Sequence, residues 1–146
     1  MSVDYTQTLT ERLCIPVASL FPTNQAIATN NTITAITLKN HRRLIGRIFA
    51  GLGGGTVTAY WMGCATSNGT YAALSPNTTA VLNTVNTETT LEVRADQFSS
   101  GHKFAQLTIT VSGTSSNVAA SVYADGHYSP ANANDYTLTN ATRTVV

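Results

Sequence analysis

Arg42-Arg43-Leu44-Ile45-Gly46-Arg47-Ile48-Phe49-Ala50, then Gly51-Leu52-Gly53-Gly54-Gly55, then Thr56-Val57-Thr58-Ala59-Tyr60-Trp61-Met62-Gly63, is the stretch whose reading decides the fold. Side chains alternate across an extended strand, so Leu44, Gly46, Ile48 and Ala50 share one face while Arg43, Ile45, Arg47 and Phe49 share the other. Both faces are half apolar, which predicts a central strand. The second run places Val57, Ala59 and Trp61 opposite Thr58, Tyr60 and Met62, and with glycines between them the two runs read as a hairpin.

Outward from this pair the same period-two rhythm recurs. Towards the N-terminus, Ile33 to Leu38 reads as a strand, and Leu13 to Ala18 as an edge strand or bulge, because Pro16 cannot donate to a ladder. Phe21-Pro22-Thr23-Asn24 reads as the turn between them. Towards the C-terminus, Tyr71 to Leu74 and Thr79 to Leu82 are short candidates, followed by Thr90 to Ala95, Phe104 to Val111 and Val118 to Ala124. About eight short strands with no amphipathic helix predict an all-β, antiparallel two-sheet β-sandwich, with a jelly roll as the expected form. The expected organisation is one domain over 1–146: an N-terminal arm at 1–11, a sandwich at 12–126 and a C-terminal arm at 127–146. The arms are polar segments in which Tyr5, Leu9, Tyr128, Tyr136 and Leu138 are the apolar anchors, and these residues are the first candidates for a partner interface.

Composition narrows the function. Only 10% of the 146 residues are charged and the formal net charge is +1, whereas small soluble domains carry about a quarter. Such a balance gives no field for nucleic acid or an acidic membrane. A charge-poor exterior rich in Thr, Ser and Asn is instead expected where neighbours cover it, so self-association as a dimer or trimer is expected too. Cys14 and Cys64 belong to no metal or CxxC pattern and read as small buried thiols. The start of the chain lacks the apolar block of a signal peptide, so synthesis in a reducing cytoplasm is expected.

No catalytic constellation emerges. The acids Asp4, Glu11, Glu88, Glu92, Asp96, Asp125 and Asp135 form no recognisable pair, and there is no nucleophile elbow. His41, His102 and His127 stand apart from any second ligand at metal spacing, so neither metal nor cofactor is expected. Asp96 and His102 bracket one turn and read as a turn cap beside a solvated histidine. Arg42, Arg43 and Arg47 are the one basic concentration, either a solvated strand face or a set of salt bridges to a partner's carboxylates. Tyr60, Trp61, Tyr71, Tyr123 and Tyr128 could stack on sugars, although Trp61 falls in register with the core positions Val57 and Ala59.

Three stretches together carry a resemblance: His41 to Ala50 leading through glycines into Thr56-Val57-Thr58-Ala59, Leu91-Glu92-Val93-Arg94-Ala95-Asp96-Gln97-Phe98, and Gly101 to Val111. They resemble the small structural proteins encoded close to the major capsid protein in tailed bacteriophages. The resemblance implies a capsid cement or decoration protein, similar to the jelly-roll cement protein of a Bordetella phage. It implies a non-enzymatic virion component on the capsid exterior, made in the host bacterial cytoplasm, whose partner is the major capsid protein. The other reading is a carbohydrate-binding module of a tail or head fibre.

Overall fold

Hydrophobic alternation becomes ten antiparallel strands in the computed structural model, which describes residues 15–26, 30–33, 35–39, 41, 43–74 and 79–124. The strands are β1 (Ile15–Gln25), β2 (Asn30–Thr32), β3 (Ile36–Thr37), β4 (Arg43–Gly53), β5 (Thr56–Cys64), β6 (Ala72–Ala73), β7 (Thr79–Leu82), β8 (Thr87–Arg94), β9 (Phe104–Ser112) and β10 (Ser116–Ala124). A single 3₁₀ turn, Ala95–Gln97, follows β8. One sheet has the order β1-β10-β4-β8. In the other, β9 and β5 are central, flanked by β2 and β3 on one side and β6 and β7 on the other. Apart from the steps β2 to β3 and β5 to β6 to β7, each connection crosses from one sheet to the other. A four-stranded and a six-stranded sheet joined in this way make a jelly roll.

The segments 43–53 and 56–64 are therefore not a hairpin. β4 pairs with β10 and β8, and β5 pairs with β9, β6 and β7, so the glycines carry the chain over the edge of the sandwich. Alternation tells which side chains point inward but not which strand lies alongside, and a crossover satisfies it as well as a hairpin. The crossover is locked against the β9–β10 connection: a Cβ on Gly55 would lie 1.9 Å from the Thr114 carbonyl oxygen, and Gly53 has φ +137°, a region that side-chain-bearing residues rarely adopt. Ser116 Oγ accepts from the Gly55 N–H at 3.1 Å and donates to its carbonyl at 3.3 Å.

At the N-terminal end, the chain does not turn at Phe21-Pro22. β1 runs on to Gln25 along the sheet edge, with register shifts between Pro16 and Ala18 and between Leu20 and Thr23. The second shift skips Phe21 and Pro22, a proline that a regular ladder would reject, while the first skips Val17 beside Pro16, which itself pairs with Tyr123. Of the described residues in the strand expected over 33–38, only β3, Ile36–Thr37, is a strand; β2 lies before it at Asn30–Thr32, and both pair with β9.

The core lies between the sheets. Leu44, Ile48 and Val122 from one meet Val57, Trp61, Leu107 and Ile109 from the other, all essentially without solvent contact. Trp61 also ties the layers together, its indole N–H donating to the Leu91 carbonyl of β8 at 3.2 Å. Gly46 makes room for this packing: a Cβ there would meet Leu107 Cδ2 at 2.8 Å and Trp61 Cζ2 at 3.4 Å. Near the opposite end of the sandwich, buried Gln25 donates from β1 to the Ile109 carbonyl of β9 at 3.2 Å. These bonds satisfy polar groups that would otherwise be costly to bury.

Candidate functional site

The two outer faces of the sandwich differ in chemistry. On the β4–β8 face, Arg47 grips Glu88 with Nη2 to Oε2 at 2.7 Å, Nη2 to Oε1 at 2.9 Å and Nε to Oε2 at 3.1 Å, and Arg43 Nη1 meets Glu92 Oε1 at 3.3 Å. Both pairs are diagonal in the register, since Arg47 stands opposite Thr90 and Arg43 opposite Arg94, and diagonal neighbours lie within reach of long side chains. The Arg47 guanidinium also stacks over Phe49 at 5.0 Å from the ring centroid. The hydrogen bond to Glu88, reinforced by its negative charge, raises the Arg47 pKa above its ordinary value. Arg94 Nε meets Asp96 Oδ1 at 3.3 Å. This face thus neutralises much of its own charge while leaving it in water.

The β9–β5 sheet presents rows that read Val81–Thr58–Thr110, Thr79–Tyr60–Thr108–Thr32 and Ala73–Met62–Gln106 across its strands. Their inward neighbours Val57, Ala59 and Trp61 on β5 and Ala105, Leu107 and Ile109 on β9 are buried, which fixes these rows as the outer face. Not one of the row residues is charged. Thr108 is buried even so, and its hydroxyl donates to Met62 Sδ at 3.1 Å. Val81 is 55% exposed. The signal was present in the sequence, because no charged residue occurs from Ile48 to Thr87 or from Phe104 to Ala124. Only the sheet pairing shows that β5 and β7 of the first run and β9 of the second fold onto one surface, while β10 goes to the other sheet.

Of the interface candidates, Arg43 and Arg47 lie on the charged face. Tyr5, Leu9, Arg42, Tyr128, Tyr136 and Leu138 lie outside the described residues, as do Cys14 and the arms. Their points of departure are nevertheless fixed: Ile15 pairs with Ala124, so the chain preceding β1 and the chain following β10 meet the body at one corner.

Asp96 and His102 are not brought together. Asp96 turns to Arg94, while the His102 ring covers Gly63, where a Cβ would lie 2.3 Å from Nδ1. His102 lines a groove of about 590 Å³ with Thr37, Leu38, Lys39, Ala95, Lys103 and Phe104, and Asp96 lines an adjoining one of about 330 Å³ that shares Ala95 and is flanked by Arg43 and Arg94. Among the described residues, no three His, Cys, Asp or Glu side chains converge as metal ligands would. The described tyrosines are dispersed: Tyr60 is on one outer face, Tyr123 is opposite Ile45 on the other, and Tyr71 donates to the Ser67 carbonyl at 3.1 Å in the loop before β6. Trp61 is in the core. No described helix is long and apolar enough to cross a membrane.

No family model matches the chain, and no curated protein matches it. Among solved structures, it is similar to a chain described under "Bacillus endospore appendages form a novel family of disulfide-linked pili", at 16% identity and a TM-score of 0.47, over 84% of this chain and 94% of that one. A likeness of that size carries no argument about what this protein binds.

Proposed function

We propose that the protein is a non-catalytic structural subunit that docks on the outside of a tailed-phage capsid, self-associates as a dimer or trimer, and cements adjacent major capsid protein subunits. The observation that carries this reading is the uncharged outer face of the β9–β5 sheet. Pressing a face against a neighbour strips water from it, and an unpaired charge there costs several kcal/mol, whereas Thr hydroxyls, a Tyr ring and Met or Val side chains can be covered cheaply if their hydrogen bonds are met. The charged pairs stay on the opposite side, in solvent. Repetition of one modest contact over a symmetric shell sums to a large stabilisation by multivalency. The arms, with Tyr5, Leu9, Tyr128, Tyr136 and Leu138, extend the footprint, and Arg42 is a secondary contact, whereas Arg43 and Arg47 stay in solvent with the carboxylates of their own face.

Co-sedimentation with empty shells assembled from the capsid protein of the encoding phage tests this. The expected result is saturable retention that changes little as salt rises, because apolar and neutral hydrogen-bonded contacts are not screened. Protein that stays in the supernatant while binding glycans on an array would replace the cement reading with the carbohydrate-binding one.

A further inference from the structure

The edges of the two sheets are guarded unequally. β1 is interrupted by two register shifts and carries Pro16 and Pro22. In the other sheet the outer positions are held by β2 and β3, of three and two residues, and by β6 and β7, of two and four. Prolines, bulges and short strands are the usual means of keeping an edge from pairing with another chain. β8 has none of them. It runs eight residues, Thr87–Arg94, contains no proline, keeps unbroken register with β4 and, among the described residues, has no ladder partner on its other side.

The direction of its free backbone groups follows from one bond. Gln97 Oε1 accepts from the Arg94 N–H at 2.7 Å, so that N–H points away from β4. Backbone groups alternate between the two sides of an antiparallel strand, which turns the N–H and C=O of Glu92, Thr90 and Glu88 to the open side as well. The side chains of these residues are exposed on the outer face. A strand laid against β8 therefore extends that face and meets the charges on it.

Charge selects the strand. When a second copy of β8 runs antiparallel, with Leu91 opposite Leu91 across a two-fold axis, Glu88 of each copy stands opposite Arg94 of the other and Thr90 opposite Glu92. Sliding the copies by two residues brings Glu88 opposite Glu92 in one direction and Glu92 opposite Glu92 in the other, and like charges directly opposite are destabilising. A slip of one residue sets an outer face against an inner one. The charges that turn away other pairings admit this one.

Resting on the self-association proposed above, we propose that β8 is its surface: two copies pair antiparallel about Leu91 and join their four-stranded sheets into one continuous sheet. A two-fold contact closes on itself, so it makes a dimer and not a trimer. Its axis stands normal to the sheet, which puts the uncharged β5–β9 faces of both copies on the same side of the dimer. Both can then dock on one surface, and the second contact is strengthened by the first.

Sedimentation equilibrium of the full-length protein at low salt, without shells, tests this. The parent is expected to show a monomer–dimer equilibrium. Arg94→Glu and Glu88→Arg each set like charges opposite one another across the edge, and each alone is expected to weaken the dimer by about tenfold. An equal mixture of the two variants restores opposite charges at both contacts and is expected to dimerise as the parent does, which a variant that had merely misfolded would not do. A monomer at every concentration, a trimer, a dimer that neither variant weakens, or a mixture that fails to recover would overturn the β8 contact. Shells play no part in this readout, so a protein that dimerises in this way but does not co-sediment with them would overturn the docking reading and leave the dimer standing.

Discussion

The outer face built by β4 and β8 and the outer face built by β5 and β9 belong to one sandwich and share one core, yet one carries a ladder of arginines and glutamates and the other carries no charge. The inner faces are alike, so folding does not require the difference. Stability needs only that one side of each strand be apolar, and leaves the other side free to record what it meets. The ladder has the chemistry of a surface that stays wet, where ion pairs are well hydrated and add little to stability. The uncharged rows have the chemistry of a surface that is covered.

The comparison is broken most severely from inside. Trp61→Ala removes a fully buried ring and the hydrogen bond that ties β5 to β8, and large aromatic-to-Ala changes in a core cost about 3–5 kcal/mol. Urea unfolding should show a loss of that order, and both outer faces should fail together. A loss below about 1 kcal/mol would mean that the layers do not depend on this tie.

Next in size is a charge placed on the uncharged side. Val81→Lys adds an ammonium group to an exposed position of a peripheral strand, where folding stability should change by no more than about 0.5 kcal/mol. Docking should weaken by about 3 kcal/mol, a hundredfold or more in affinity, because the charge would be buried without a partner. Equal shell binding by variant and parent would remove Val81 from the contact.

How much of this was legible in the sequence follows from what alternation encodes. The inward positions Val57, Trp61, Leu107 and Ile109 were readable residue by residue, and so was the peripheral position of the Pro16 strand, but Leu44 and Ile48 were not, because both faces of their strand read as half apolar. The partners of each strand were not, which is why β4 and β5 read as a hairpin although their pairing is with β10 and β9. Pairing depends on contacts far apart in sequence, such as the Gly55–Ser116 bonds that pin the crossover. The same gap hid the uncharged face: Thr58, Tyr60, Thr108 and Thr110 lie about fifty positions apart in two runs, and only their register makes a surface of them. The turn expected at Phe21-Pro22 erred differently, because an edge strand can bulge around a proline and continue.

A smaller effect is expected on the charged face. Arg47→Ala should lower the urea midpoint slightly, Glu88→Ala should reproduce the change, and the double variant should add little, since the two residues share one interaction. High salt should shrink the difference. Shell binding by Arg47→Ala should match the parent if this face stays in solvent; a marked loss would make the arginine ladder a contact in its own right.

The smallest effect is alkaline. Partial burial raises the Tyr71 pKa above its ordinary value of 10.0, so the folded protein holds the phenolic proton more tightly than the unfolded chain does. The stability linked to this proton is complete below the ordinary value and is lost as pH rises through the raised one. Tyr71→Phe should flatten this part of the stability profile above pH 10.0, and an unchanged profile would show that the phenol is not coupled to folding.

The central claim is that the β5–β9 face is the covered one, and hydroxyl-radical footprinting of shell-bound against free protein tests it most directly. Tyr60, Met62 and Val81 should become protected on the particle while Phe49 and Tyr123, on the other outer face, react as they do in the free protein. Protection of Phe49 and Tyr123 with Met62 and Val81 left reactive would contradict it.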